Sequence, residues 1–189
     1  MSAVTTDSYA DAPRTRRSAP RQAPEPVPDS ILSPEEIELK HWLLDQAATR
    51  GNAVVSVQAE DGVGNYDFTA GAWRTHGVPE GVVIGLPKPM GTVLLDAYVD
   101  RAATGGQFRI GEFYHDFFEG IPVLFQRVAE RYYPQYFGSA FLLYPNGDFP
   151  AVQLVVPTPQ GQWPWAANAP EGFRRWQPIL TETGKPDLD

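Results

Sequence analysis

The sequence predicts an α+β fold: a single domain with a largely antiparallel or mixed sheet and about three helices, preceded by a disordered N-terminal tail. Three observations carry this reading. Two long amphipathic segments, "SPEEIELKHWLLDQAATRG" and "PMGTVLLDAYVDRAATGG", are interleaved with short β-branched runs such as "NAVVSVQAE", "GVVIGLP" and "AVQLVVP". The connections are brief and carry the glycines that hairpins need. The first thirty or so residues hold almost no large apolar side chain, so they cannot bury enough surface to offset the entropy of ordering them. The expected boundaries are a Pro- and Arg-containing tail over 1–32, the domain over 33–182 and a short C-terminal tail over 183–189.

The elements follow from local chemistry. Ser33 caps the first helix, Pro34 suits its first position, Glu36 completes a capping box and Gly51 supplies a left-handed stop. "NAVVSVQAE", "DGVGN" and "YDFTAGAW" read as strand, hairpin connection and return strand. "GVVIGLP" is nearly all apolar, which indicates a strand covered on both faces. The second helix is entered through Pro89 and ended by Gly105 and Gly106. "QFRIG" and "IPVLFQRV" read as further strands, and "AERYYPQYFGSAFLLY" as a helical stretch interrupted near Pro134. The crossing from "GVVIGLP" through the second helix leaves room for one parallel pair. Past "AVQLVVP", the prolines and three tryptophans of "QWPWAANAPEGFRRWQPIL" suit a stiff, non-helical clasp with Trp163, Trp165 and Trp176 turned inward.

Composition narrows the function. The chain has 189 residues, a net charge of −8 and no cysteine. The absent thiols exclude thiol catalysis, zinc–thiolate sites, iron–sulfur clusters and disulfides. Only Lys40, Lys88 and Lys185 represent lysine, and an acidic chain repels phosphates, so no nucleic-acid partner is expected. No apolar run reaches the ~18 residues of a membrane span, and "RTRRSAP" is not followed by the hydrophobic region of an export signal. A cytoplasmic location without membrane association is expected, with the oligomeric state open.

The best polar convergence is "WRTHGVPEG". Trp73, Arg74, His76 and Glu80 sit between two strands, where a histidine and a carboxylate suit acid–base work and an arginine suits an anion. The competing reading is an ordinary polar connection. Lys88 lies at a strand-to-helix junction that favours anions but lacks the glycines of a phosphate loop. In "EFYHDFFE", Glu112, His115, Asp116 and Glu119 would share a face if helical, but no second copy of the motif supplies the remaining ligands of a di-metal site, so no metal is expected. Ser139 in "FGSAF" is not a nucleophile elbow. No catalytic residue is identified and no cofactor is expected.

The ordered blocks "YDFTAGAW", "PEGVVIGLP", "GIPVLFQRV", "AVQLVVPTPQGQWPW" and "QPIL" resemble a bacterial family catalogued as domain of unknown function 4262, over about residues 50 to 180. The resemblance implies a small α+β domain and no assigned activity. Where that family typically has His-Pro-Glu, this chain has Val78-Pro79-Glu80, and Ala166 stands where an aspartate often follows the Pro-Trp pair. The expectation from sequence is a non-catalytic accessory protein that binds a protein or a small molecule. The alternative is a small enzyme using His76 and Glu80 on an anionic substrate held by Arg74. An interaction arm in the leader is a third possibility.

Overall fold

The computed structural model describes residues 22–58 and 62–188. One six-stranded sheet, in the order β1-β2-β3-β6-β5-β4, organises them. Helix α1 (Pro34–Arg50) carries the expected capping box, with Ser33 and Glu36 each bonded to the other's backbone, and stops at Gly51 with φ of 92°. It leads into the hairpin β1 (Ala53–Val57) and β2 (Tyr66–Ala70), whose connection is described at residues 58 and 62–65. A short helix α2 (Ala72–His76) precedes β3 (Glu80–Ile84), which is buried at every position. Helix α3 (Met90–Ala103) crosses to the hairpin β4 (Phe113–Phe118) and β5 (Ile121–Arg127). A helical region over 130–142 contains α4 (Tyr133–Tyr136). Strand β6 (Ala151–Val155) then enters between β3, to which it runs parallel, and β5, to which it runs antiparallel. The last short helix is α5 (Phe173–Trp176).

Strand register sets two faces, because alternate side chains point to opposite sides. Phe68 pairs with Val82, and Val82 with Gln153, so these share a face with Gln126 and Leu124. On the β1–β2–β3 half of that face pack Leu43 of α1 and Phe137, Leu143 and Tyr144 of the helical region. The opposite face carries Val83, Phe125 and Leu154 beneath Leu94, Leu95 and Tyr98 of α3. The fold is therefore the α+β class expected, with a mixed sheet and helical regions at all three expected places.

The remaining half of the first face, over β6 and β5, is covered by the non-helical C-terminal strap. Trp163 and Trp165 stack at 5.1 Å and lie half-buried over Leu124, Val155 and Ile179. Trp176 does not turn inward as expected: it is 42% exposed, with its ring against the Gly85 backbone. Indoles are only part of the seal. Three buried glutamines do the rest, each using its amide as a substitute peptide group. Gln153 donates to Pro178 O (2.8 Å) and accepts from Leu180 N (2.9 Å). Gln177 bonds both the N–H and the C=O of Val156, and Gln126 does the same with Asp187. A strap without ladder partners thus satisfies its buried backbone.

Two other expectations need correction. "QFRIG" is not a strand: Gly111 takes φ of 88°, Phe108 turns into the core under α3, and the Arg109 amide bonds Tyr114 Oη instead of a neighbouring strand. Residues 22–32, placed in the tail by composition, lie on the domain. Val27 N bonds Leu142 O, Lys40 Nζ bonds Val27 O, and the Arg74 guanidinium bonds Pro24 O at 2.6 Å. Low apolar content misled here because the contacts are to backbone carbonyls, which composition does not register. The rest of the tail expected over 1–32, residues 1–21, lies outside the described residues. At the other end, the Asp187 contacts with Gln126 hold the segment expected as a C-terminal tail.

Replacing Gln153 with leucine keeps the volume but orphans Pro178 C=O and Leu180 N–H, at about 1–3 kcal/mol for each buried group. Urea unfolding is expected to show a loss in that range or somewhat above it for Gln153→Leu. An unchanged midpoint would show that the amide does not hold the strap.

Candidate functional site

The expected convergence of Arg74, His76 and Glu80 does not form. β2 ends at Ala70 rather than running on to Trp73, because Gly71, at φ of 100°, turns the chain into α2. The amides at the start of that helix need acceptors, and no side chain of its own segment supplies one. Glu80 does so from the first position of β3. Its Oε1 accepts from Gly71 N (2.9 Å), Trp73 N (3.0 Å) and Tyr144 Oη (2.6 Å), and its Oε2 from Thr69 Oγ1 (2.5 Å). The residue is 0% exposed. Burial pushes its carboxyl above the ordinary range, against the pull of the Thr69 and Tyr144 hydroxyls and the two amides. Burial and the Glu80 charge raise the Tyr144 hydroxyl in turn.

Glu80 is thus a sealed cap with no route to a substrate. His76 is exposed at the far end of α2, its ring against Gly51. Arg74 extends to Pro24, and Lys88 is exposed at the β3–α3 connection. "EFYHDFFE" is a strand, so its polar groups are spread along β4, with Glu112 near Arg109 and Asp116 near Arg101. Among the described residues no cluster of three His, Cys, Asp or Glu is placed to hold a metal.

What the fold does build is a pair of clefts at the sheet end where β3 and β6 begin and β5 finishes. The larger, about 630 Å³, has an apolar lining that includes Phe108, Ile110, Tyr133, Phe149 and Val152. Arg127, Glu130, Glu182 and Asp187 supply its charges. The second, about 560 Å³, lies against Trp73, Pro24, Gln22 and Asp148. Glu130, Phe149 and Pro150 line both, so the clefts meet along that ridge. Tyr133 stacks on Phe149 at 4.7 Å, and burial together with Glu130 pushes its hydroxyl up to about 12. Glu182 is engaged by Arg131, whereas Glu130, Asp148 and Asp187 form no ion pair among the described residues.

A family model described as "Domain of unknown function (DUF4262)" matches residues 46–170. The chain belongs to this family. No curated protein and no solved structure matches it. The DUF4262 region contains the whole sheet and both faces of the shared ridge, while Gln22, Glu182 and Asp187 at the cleft margins fall outside it. Of the five candidates read from sequence, Trp73 lines a cleft and Arg74 holds Pro24, which lines the same one. Glu80 fixes the neighbouring backbone, with its amide bonded to Pro150 O at 2.9 Å. His76 and Lys88 line neither cleft. The residues that sequence reasoning missed, Arg127, Glu130, Tyr133 and Phe149, meet only through tertiary structure. The one local signal was "PNGDFP", whose turn chemistry marks an exposed loop before β6.

Glu80→Gln puts an amide NH2, which only donates, in place of one of two oxygens that both accept, so a donor faces a donor. A loss of about 1–3 kcal/mol is expected. Because the folded carboxyl retains its proton to higher pH than the unfolded one, the Glu80 contribution is complete below the ordinary value of 4.5 and is lost as pH rises through the raised value. Urea midpoints across this window are expected to show the gap between wild type and Glu80→Gln narrowing with pH. A widening gap would reverse the assignment.

Proposed function

We propose that this chain is a non-catalytic, cytoplasmic binding domain that accepts an extended, basic segment of a protein partner along the two clefts. The observation that supports this reading is the pair of adjacent clefts: aromatic and aliphatic side chains line them together with three carboxylates, Glu130, Asp148 and Asp187, that no cation of the described residues pairs. Apolar lining supplies affinity and a few placed polar groups supply orientation. Two clefts meeting at a ridge suit an extended chain better than one compact molecule, and the acidic rim favours arginine or lysine over carboxylate. Arg127 gives the larger cleft one opposing charge and so sets the polarity of an occupant with a single acidic residue or terminus. The acid–base alternative draws no support from a sealed Glu80 and a His76 that stands apart from it.

The test uses isotope-labelled full chain and a capped peptide of alternating arginine and proline. Amide signals of Glu130, Gly147, Asp148 and Phe149 are expected to shift on titration, less at high salt because exposed charges are screened. Glu130→Lys combined with Asp148→Lys is expected to weaken binding by about tenfold or more. Equal binding of an aspartate–proline peptide, or shifts scattered away from the ridge, would sink the reading.

A further inference from the structure

We propose that the first occupant of these clefts is the chain's own segment 13–21, "PRTRRSAPR", which makes the leader an intramolecular competitor for the partner. This rests on the preceding reading of the clefts as a binding site and names what regulates it.

Three observations converge. The first is position. Gln22, which directly follows this segment, is itself part of the wall of the second cleft. The chain there is held from both sides, since Arg74 bonds Pro24 O and Val27 N bonds Leu142 O. The undescribed segment therefore joins the described chain at a cleft that Asp148 and Glu130 also line. The second is charge. Residues 13–21 carry Arg14, Arg16, Arg17 and Arg21 and no acid, in a chain of net charge −8. Glu130 and Asp148, which form no ion pair among the described residues, line the same cleft as Gln22. The third is length and stiffness. Nine residues reach at most about 30 Å when extended, enough to pass from the second cleft across the Phe149–Pro150 ridge into the first. Pro13 and Pro20 restrict the segment toward extended conformations, which lowers the entropy lost on docking.

Tethering supplies the regulation. A short linker holds its ligand at an effective concentration of about millimolar, so even a weak contact competes with a partner in solution. A partner must then present either more basic groups than the leader or an apolar anchor for the Tyr133–Phe149 floor. Arginine pairs at a solvated rim are individually weak, so such a leader is displaceable rather than locked.

The absence of cysteine from the chain makes the test direct. A nitroxide on Ser18→Cys in the full-length protein reports only on what lies near the leader. The expected result is selective broadening of the Glu130, Gly147, Asp148 and Phe149 amides, relieved at about 0.5 M salt, where the Debye length is only a few ångströms. It is expected to vanish when Arg14, Arg16, Arg17 and Arg21 are all changed to glutamate. That variant is also expected to bind the arginine–proline peptide about fivefold more tightly than wild type, because the tethered competitor is gone. Broadening that is uniform, or centred on another surface, overturns the inference. So does broadening of unlabelled-spin, isotope-labelled molecules in a mixture with nitroxide-bearing ones, since the occupant is then a second copy. If the peptide binds the ridge equally in wild type and the arginine variant, leader docking fails and the partner reading stands. If the ridge broadens but no peptide binds either protein, the partner reading fails and leader docking stands.

Discussion

The Glu80 carboxyl, removed from water at the start of β3, accepts from two hydroxyls and two amides and so ties three other parts of the chain to β3. Thr69 belongs to β2, Gly71 and Trp73 to the start of α2, and Tyr144 to the end of the helical region. A buried carboxylate is costly unless each of its lone pairs has a donor, and here the donors are the amides that a five-residue helix leaves unpaired. Neither half of this arrangement is stable by itself: α2 is too short to persist without tertiary support, and Glu80 needs its donors. The Glu80 amide, bonded to Pro150 O, extends the tie to the cleft ridge. Trp73 and Pro150, two walls of the second cleft, are therefore positioned by opposite ends of one residue.

A second constraint is the cover over β5 and β6. Helices cover a sheet by satisfying their own backbone and offering side chains downward. The C-terminal strap bonds itself only in local turns and the four-residue α5, so the sheet provides further partners with amide side chains from Gln126 and Gln153, and Gln177 returns the arrangement to Val156. Polar residues buried at 0–3% in the middle of an apolar face are tolerated because their two-sided bonding leaves nothing unpaired. The strap also brings Glu182 and Asp187 to the larger cleft. The cover and the binding surface are thus parts of one segment.

Local chemistry made much of the fold readable. The Ser33–Glu36 box, the Gly51 stop and the buried "GVVI" run of β3 each depend on neighbours within a few residues, and each formed as expected. Helix α2 was unreadable because its cap comes from another strand, and "YDFTAGAW" taken alone continues as a strand. "QFRIG" failed for a related reason: Phe108 gains more from the aromatic cluster with Tyr98, Phe117 and Phe125 than from a ladder. At the site, Glu80, singled out for chemistry, bonds the amides that open α2, and Trp73, singled out with it, lines the second cleft. The cleft residues escaped notice because Pro79, Tyr133, Pro150 and Asp187 have no pattern in common until the sheet brings them together.

Strand β6 was described as entering between β3 and β5 after both have passed in the chain. Until residues 151–155 leave the ribosome, the hairpin of β4 and β5 and the meander of β1, β2 and β3 have no shared edge. The pairing Glu80 with Ala151 closes a long loop, and such late, non-local contacts slow folding. A chain that ends before β6 therefore lacks the strand that joins the two half-sheets, and β3 and β5 each keep an unpaired edge, the kind of edge that invites pairing with another chain.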